Sequence, residues 1–194
     1  MTRTLIKDTI SQIGEKVTIK GWVNSVRSYG KLVFADIRDR SGLIQVVGGK
    51  DLGEVKVESV VEITGNVRAR EEKYFNPKII TGKIEMEMVE LKVIEAAAEL
   101  PFDIHQPDLN VSLPVLLDNR AVSLRHQKVT DVFKVQATIM KAFRDHLIQN
   151  DFTEISVPTI VTGSTEGGSE VFPVNYFGHK AFLAQSPQLY KQIM

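Results

Sequence analysis

Leu32-Val33-Phe34-Ala35-Asp36-Ile37-Arg38-Asp39-Arg40-Ser41-Gly42-Leu43-Ile44-Gln45-Val46-Val47 decides the fold. Leu32 to Ile37 and Leu43 to Val47 are two β-prone runs, rich in branched residues. Between them Asp39-Arg40-Ser41-Gly42 has the composition of a tight turn, with Gly supplying the permissive backbone. Gly48-Gly49 stops the second run. Upstream, Val17, Ile19, Gly21 and Val23 alternate with Thr18, Lys20 and Trp22, a period of two that reads as another strand. Tyr29-Gly30-Lys31 is its turn. Downstream, Asp51 to Lys56 reads as a short helix and Ser59 to Arg70 as a fourth strand. A polar loop, residues 71–77, follows. In Ile84 to Ile94 the apolar positions run 84, 86 and 88 and then shift to 89, 91 and 93. A one-residue change of phase inside an alternating strand predicts a β-bulge.

Five short strands with one small helix after the third fit a five-stranded Greek-key barrel of the OB type. The same pattern also fits a small β-barrel with no nucleic-acid role. Residues on the first three strands favour a nucleic-acid surface. Trp22, Tyr29 and Phe34 offer flat faces for base stacking, although Trp22 is expected to pack under the barrel. Arg27, Lys31, Arg38 and Arg40 offer phosphate contacts, and the Gln45 amide can donate to and accept from a base edge. Residues 1–50 carry nine Lys and Arg against four Asp and Glu, whereas residues 51–100 carry seven against eleven. A basic segment on a chain of zero formal net charge is what a nucleic-acid footprint requires, and it is equally what an unevenly solvated surface would give.

With 194 residues, 43% apolar and 25% charged, the chain has ordinary globular composition. No apolar run approaches the roughly 20 residues that span a bilayer. Without cysteine, disulfides and thiolate metal sites are excluded. A cytoplasmic location is the expectation. The four histidines, at 105, 126, 146 and 179, have no metal-ligand spacing and read as surface or capping residues. No Walker loop, GxGxxG or Ser-His-Asp arrangement is present.

Prolines 101, 107 and 114 interrupt the stretch after Ile94, which reads as a hinge. The predicted division is a barrel domain at 1–104, a hinge at 105–122 and a second domain at 123–194. Thr130 to Asn150 is a helix with one apolar stripe through Val132, Phe133, Ile139, Met140, Phe143 and Leu147. Phe152 to Val157 reads as a strand closed by Pro158, and Tyr176 to Lys180 as a hairpin turn. Two polar stretches end the chain: Thr165-Glu166-Gly167-Gly168-Ser169-Glu170 and Gln185-Ser186-Pro187-Gln188-Leu189-Tyr190-Lys191-Gln192. Glu166 or Glu170 can hold an ammonium and Lys191 a carboxylate, which together suit a free amino acid with an acidic side chain.

Gly21 to Val23 with Asp36 to Val47 resembles the anticodon-binding barrel of class IIb aminoacyl-tRNA synthetases. Phe152, Ile155, Pro158 and Ile160 resemble the helix–strand–proline motif that forms the dimer interface of class II enzymes. Residues 165–170 are similar to the flipping loop, and residues 185–192 to the amino-acid-binding segment, of the aspartyl branch. The resemblance implies an α+β architecture: an OB-fold barrel followed by the start of a class II antiparallel α/β catalytic domain. It implies ATP-dependent activation of L-aspartate and transfer to tRNA-Asp, and leaves charging of tRNA-Asn open. By it Glu166 and Gln188 hold the substrate amino group, Ser186 lies beside them, and Lys191 pairs with the side-chain carboxylate. Phe34 stacks on the central anticodon uridine, Gln45 reads its edge and Arg27 contacts neighbouring groups. Pro158 belongs to a homodimer interface. Asn24 sits where some archaeal-type members of the family carry Trp or His. ATP and Mg²⁺ belong to the family's motifs 2 and 3, which are expected beyond Met194, so this stretch supplies no catalytic residue for them. The other readings are an asparagine–tRNA ligase, a non-catalytic tRNA-binding module and a barrel that binds protein.

Overall fold

Inward-facing β-branched residues at alternate positions close the first five strands on themselves. In the computed structural model, which describes residues 3–163 and 170–194, these are β1 (Lys16–Tyr29), β2 (Leu32–Asp39), β3 (Gly42–Gly48), β4 (Val60–Ala69) and β5 (Ile84–Glu95). Their order around the closed barrel is β1-β2-β3-β5-β4. All neighbours are antiparallel except β3 and β5, which meet in parallel at Val46–Met86 and Val47–Glu87. Ile19, Ala35, Ile37, Ile44, Val46, Val61 and Ile63 are fully buried inside. Each large one contributes about 1.5–3 kcal/mol relative to an exposed side chain. Leu52 from the short helix α1 (Lys50–Gly53) and Ile6 from a 3-10 turn (Ile6–Ser11) join the same core. Asp39 fixes the β2–β3 turn: its carboxylate accepts from the Ser41 and Gly42 amides, the Ser41 hydroxyl and the Ile6 amide.

The predicted bulge in β5 is present. Thr64 pairs with Glu90 and Gly65 with Met88, so Val89 is the extra residue where the apolar phase changes. A second irregularity falls between the Val60–Glu95 and Val61–Val93 pairs. In β1, Val23 pairs with Ile37 and Ser25 with Asp36, which leaves Asn24 as a bulged residue. Trp22 corrects the sequence reading. The inward positions beside it belong to Gly21 and Val23, so Trp22 is half-buried on the other face. Gly21 is required there, because a Cβ would sit 2.4 Å from the Arg38 carbonyl oxygen.

The stretch expected as a hinge runs through α2 (Leu113–Asp118) and α3 (Arg120–Ser123), within the unit that ends at Val129. The compact-unit boundary thus falls at 129/130. His126, expected at the surface, is buried with Nε2 2.9 Å from the Gln106 carbonyl oxygen.

The second unit, residues 130–194, holds most of α4 (Gln127–Gln149). At its C-terminus Asp151 takes φ +65°, the Phe152 amide donates to the Leu147 carbonyl at 3.1 Å, and the Asp151 amide donates to Ile148. No side chain of α4 is buried; Val132, Ile139, Met140 and Phe143 of the apolar stripe are all more than half exposed. A three-stranded antiparallel sheet follows, in the order β6 (Ile160–Val161), β8 (His179–Leu183), β7 (Pro173–Tyr176). Phe177 and Gly178, at φ +49° and +83°, make the predicted hairpin turn. The strand expected over 152–157 is absent. That segment is irregular and exposed, without a neighbouring strand, and is tied to α4 by a bidentate Arg144–Glu154 pair.

Candidate nucleic-acid interface

The register of the first three strands assembles a row of side chains on the outer face of the barrel. Arg27 is opposite Phe34, Phe34 is opposite Val47, and Asp36 is opposite Gln45. Because Val33, Ala35 and Ile37 point inward, Phe34 and Asp36 must point out. The rings of Tyr29 and Phe34 meet edge to face, with centroids 5.9 Å apart. Arg27, Tyr29, Phe34, Gln45 and Val47 line a groove of about 870 Å³ together with Leu32, Arg68, Arg70, Tyr74 and Glu85. All three residues singled out for anticodon contact, Arg27, Phe34 and Gln45, therefore share one concave surface.

Two carboxylates organise the charge of this face, Glu85 in the groove and Asp36 behind Arg27. Asp36 accepts from the Ser25 hydroxyl at 2.7 Å and from Arg27 at 3.1 Å. Glu85 accepts from Arg68 Nε at 2.9 Å and from Gln45 Nε2 at 3.1 Å. Held by that bond, the Gln45 amide keeps its oxygen and its second N–H for another group. Arg70 is the unusual member. Its side chain is only 6% exposed and its Nε lies 3.8 Å from Glu85, beyond hydrogen-bonding distance. Nη1 makes a 3.5 Å contact to the Tyr74 carbonyl, while Nε and Nη2 have no partner among the described residues. Burial lowers the Arg70 pKa, partly countered by Glu85 and Asp36. A guanidinium nevertheless stays charged at neutral pH. Arg70 Nε and Nη2 are both closed off from the groove, so each unbonded donor is a local cost of about 1–3 kcal/mol.

The sequence reading missed Arg68, Arg70, Tyr74 and Glu85 because it sought function on the first three strands only. The signal was present. Val67 is inward on β4, which puts Arg68 on the outer face beside the outward Glu85 and Glu87 of β5. The reading also overcounted. Arg38 is turned away from any phosphate by bonds to Asn24 at 3.0 Å and to Glu58 at 2.9 Å.

The other candidate residues lie in the second unit. Ser186 lies two residues before α5 (Gln188–Ile193), Gln188 opens that helix and Lys191 is in its last turn. The Gln188 amide donates to the Ser186 hydroxyl at 3.3 Å. Gln188 and Lys191, three residues apart, share a face of the helix and are exposed. Gln185 Nε2 donates to the Glu170 carbonyl at 2.6 Å, tying this strand end to the segment that follows residue 169. Glu166 lies outside the described residues. Pro158 is exposed in the irregular segment before β6.

Comparison with known proteins supplies a context for both regions. Residues 17–94 match the family model described as OB-fold nucleic acid binding domain. Residues 112–194 match that of tRNA synthetases class II (D, K and N). The aspartate–tRNA(Asp/Asn) ligase of Deinococcus radiodurans is 42% identical over 100% of this chain and 43% of that protein. The ligase of the same name from Archaeoglobus fulgidus is 37% identical over 93% of this chain and 43% of that protein. Among solved structures, asparaginyl-tRNA synthetase from Pyrococcus horikoshii, complexed with asparaginyl-adenylate, superposes with a TM-score of 0.81 at 30% identity. That superposition covers 100% of this chain and 45% of the other. The chain thus spans less than half the length of the relatives it matches.

Proposed function

We infer, from a chain that belongs to the class II tRNA synthetases (D, K and N) and carries their OB-fold nucleic acid binding domain, that the whole protein is an aspartate–tRNA ligase. It activates L-aspartate with ATP and transfers it to tRNA-Asp. The names of the two curated relatives extend this to tRNA-Asn. The observation that carries the reading is the groove, which brings the Phe34 ring, the half-satisfied Gln45 amide and the Arg27 and Arg68 guanidinium groups onto one concave surface. Phe34 supplies a stacking face, Gln45 a base-edge partner, and Arg27, Arg68 and Arg70 positive charge.

In the second unit Lys191 pairs with the side-chain carboxylate of aspartate, and Gln188 and Glu166 hold its amino group beside Ser186. A neutral amide in place of that carboxylate leaves Lys191 unpaired, which discriminates against asparagine. ATP and Mg²⁺ serve the whole protein. Among the described residues no cluster of acidic or histidine side chains could hold a metal ion, so no step is assigned to these groups on this chain. The apolar stripe of α4, the groove of about 310 Å³ formed by Met140, Phe143, Leu147 and Phe152, and Pro158 form a surface for a second copy.

Amino-acid-dependent ATP–pyrophosphate exchange by the whole protein tests the activity. Exchange with aspartate and none with asparagine is expected; the reverse would establish the asparagine enzyme instead. Binding of an anticodon stem-loop by the 194-residue chain, weakening as salt rises, tests the barrel.

A further inference from the structure

Glu58 is buried, with 1% of its side chain exposed, yet it stands in a left-handed backbone conformation at φ +67°. Glycine or asparagine would adopt that conformation more readily. The backbone is pinned there: the Glu58 amide donates to the Val23 carbonyl at 2.7 Å, and the Val23 amide to Ser59 at 3.0 Å. The carboxylate meets three cationic or imidazole groups from three distant stretches. Arg38 Nη2 of β2 donates to both oxygens at 2.9 and 3.2 Å. Arg125 Nη1, just before α4, donates to Oε2 at 2.7 Å, and His105 Nε2 lies 3.4 Å from Oε1. The neighbouring Ser59 hydroxyl accepts from the Ala97 amide at 3.0 Å. Two adjacent buried residues therefore hold the segment after β5 at positions 97 and 125, while His105 Nε2 lies alongside without a hydrogen bond. His126 closes the arrangement by joining Gln106.

We propose that Glu58 is the latch of this connector, residues 96–126: its carboxylate holds Arg125 against the barrel, with the His105 imidazole alongside, and its loss frees the connector while the barrel stays folded. The chemistry requires an anion at this point. Burial alone would raise the Glu58 pKa, but the His105 imidazole, Arg38 and Arg125 hold it down at about 2, so the group is a carboxylate at neutral pH. An Arg–carboxylate bond of this kind is about twice as strong as a neutral one. Arg38 completes the connection by donating to Asn24, the bulged residue of β1, whose neighbour Ser25 donates to Asp36, the partner of Arg27 in the groove. The latch and the groove thus rest on adjacent residues of one bulge.

Segment-resolved amide hydrogen exchange on the 194-residue chain tests the proposal. Glu58→Gln keeps the size and removes the charge. It is expected to raise exchange at the Ser123, Leu124 and His126 amides at least tenfold, leaving Ile19 and Ile63 within about twofold. Unchanged exchange at residues 123–126, or equal acceleration at Ile19 and Ile63, would overturn the latch. Arg125→Gln, a change at a half-exposed side chain that spares the barrel, is expected to loosen the same amides. Combined with Glu58→Gln it is expected to add nothing; multiplicative effects would show two independent contacts and overturn the proposal.

Discussion

Replacing Arg70 by Met separates binding from folding more sharply than any other change in the groove. Two opposing quantities set its effect on stability. Attraction between the guanidinium and Glu85 across 3.8 Å is worth about 4 kcal/mol at an effective dielectric constant of about 20. Against it stand two buried donors without partners, each costing about 1–3 kcal/mol. The two roughly cancel, and Glu85 keeps Arg68 and Gln45 when Arg70 is gone. Arg70→Met is therefore expected to change barrel stability by less than about 2 kcal/mol. Both idle donors are covered in the free groove, so RNA must open the site to reach them; the two charge-assisted bonds of about 1.5–3 kcal/mol each, less the cost of opening, give an expected fall of about 10- to 100-fold in affinity. Trp22, the single tryptophan of the chain, lies on β1 opposite Arg38 and Val60 and reports barrel unfolding in urea. Fluorescence anisotropy with a labelled anticodon stem-loop, at fixed salt, reports binding. A stability loss above about 4 kcal/mol with affinity otherwise intact would make Arg70 a structural residue and refute the reasoning.

Three further outcomes are expected. Phe34→Leu preserves apolar volume but removes a stacking face, so the stem-loop should bind about 5- to 150-fold more weakly, for about 1–3 kcal/mol. The slope of log Kd against log salt should not change, since stacking releases no counterions; a flatter slope would speak against stacking. Gly21→Ala should cost roughly 1–3 kcal/mol in urea unfolding, because its Cβ meets the Arg38 carbonyl oxygen at 2.4 Å, and an unchanged midpoint would refute the close approach. Acid should release the connector. The Glu58 pKa stands at about 2 against an ordinary 4.5, so its contribution is complete above pH 4.5 and declines as pH falls toward 2. Protection of the Leu124 amide measured between pH 5 and 3 should fall in the parent chain and not in Glu58→Gln; equal pH dependence in both would exclude Glu58 as the titrating group.

What the sequence disclosed was local. The change of apolar phase at Met88–Val89 named a bulge that is where it should be, because side-chain alternation is a property of a strand by itself. Gly178 marked the hairpin for the same reason. Trp22 was misplaced because aromatic size suggests core, whereas the inward slot is decided by the phase that Gly21 and Val23 share. The strand expected at 152–157 failed because a strand requires a neighbour, and no spacing within six residues can supply one. Arg70 and Glu58 were invisible for another reason. Their character depends on what lies across the fold: a carboxylate too far for a bond in one case, and two guanidinium groups at 38 and 125 in the other.

The same distinction changes what the basic N-terminal segment means. Of its nine Lys and Arg residues, Arg3, Lys20, Arg27, Arg38 and Lys50 stand in ion pairs with Asp39, Glu62, Asp36, Glu58 and Glu54. Arg38 cannot turn toward phosphate without giving up both of its bonds to the buried Glu58 carboxylate, which would then keep only Arg125 as a donor. Arg38 is therefore bound to the fold, not to RNA. Arg27 differs, because Asp36 is partly exposed and shares its charge with Ser25. Arg68 divides itself between Glu85 and Glu87 at 2.9 and 3.4 Å, and Arg70 has donors to spare. The positive charge left for a nucleic acid in the groove is that of the incompletely paired cations Arg27 and Arg68. Of the surplus of five in the first fifty residues, carboxylates beyond the segment, Glu54, Glu58 and Glu62, take up three.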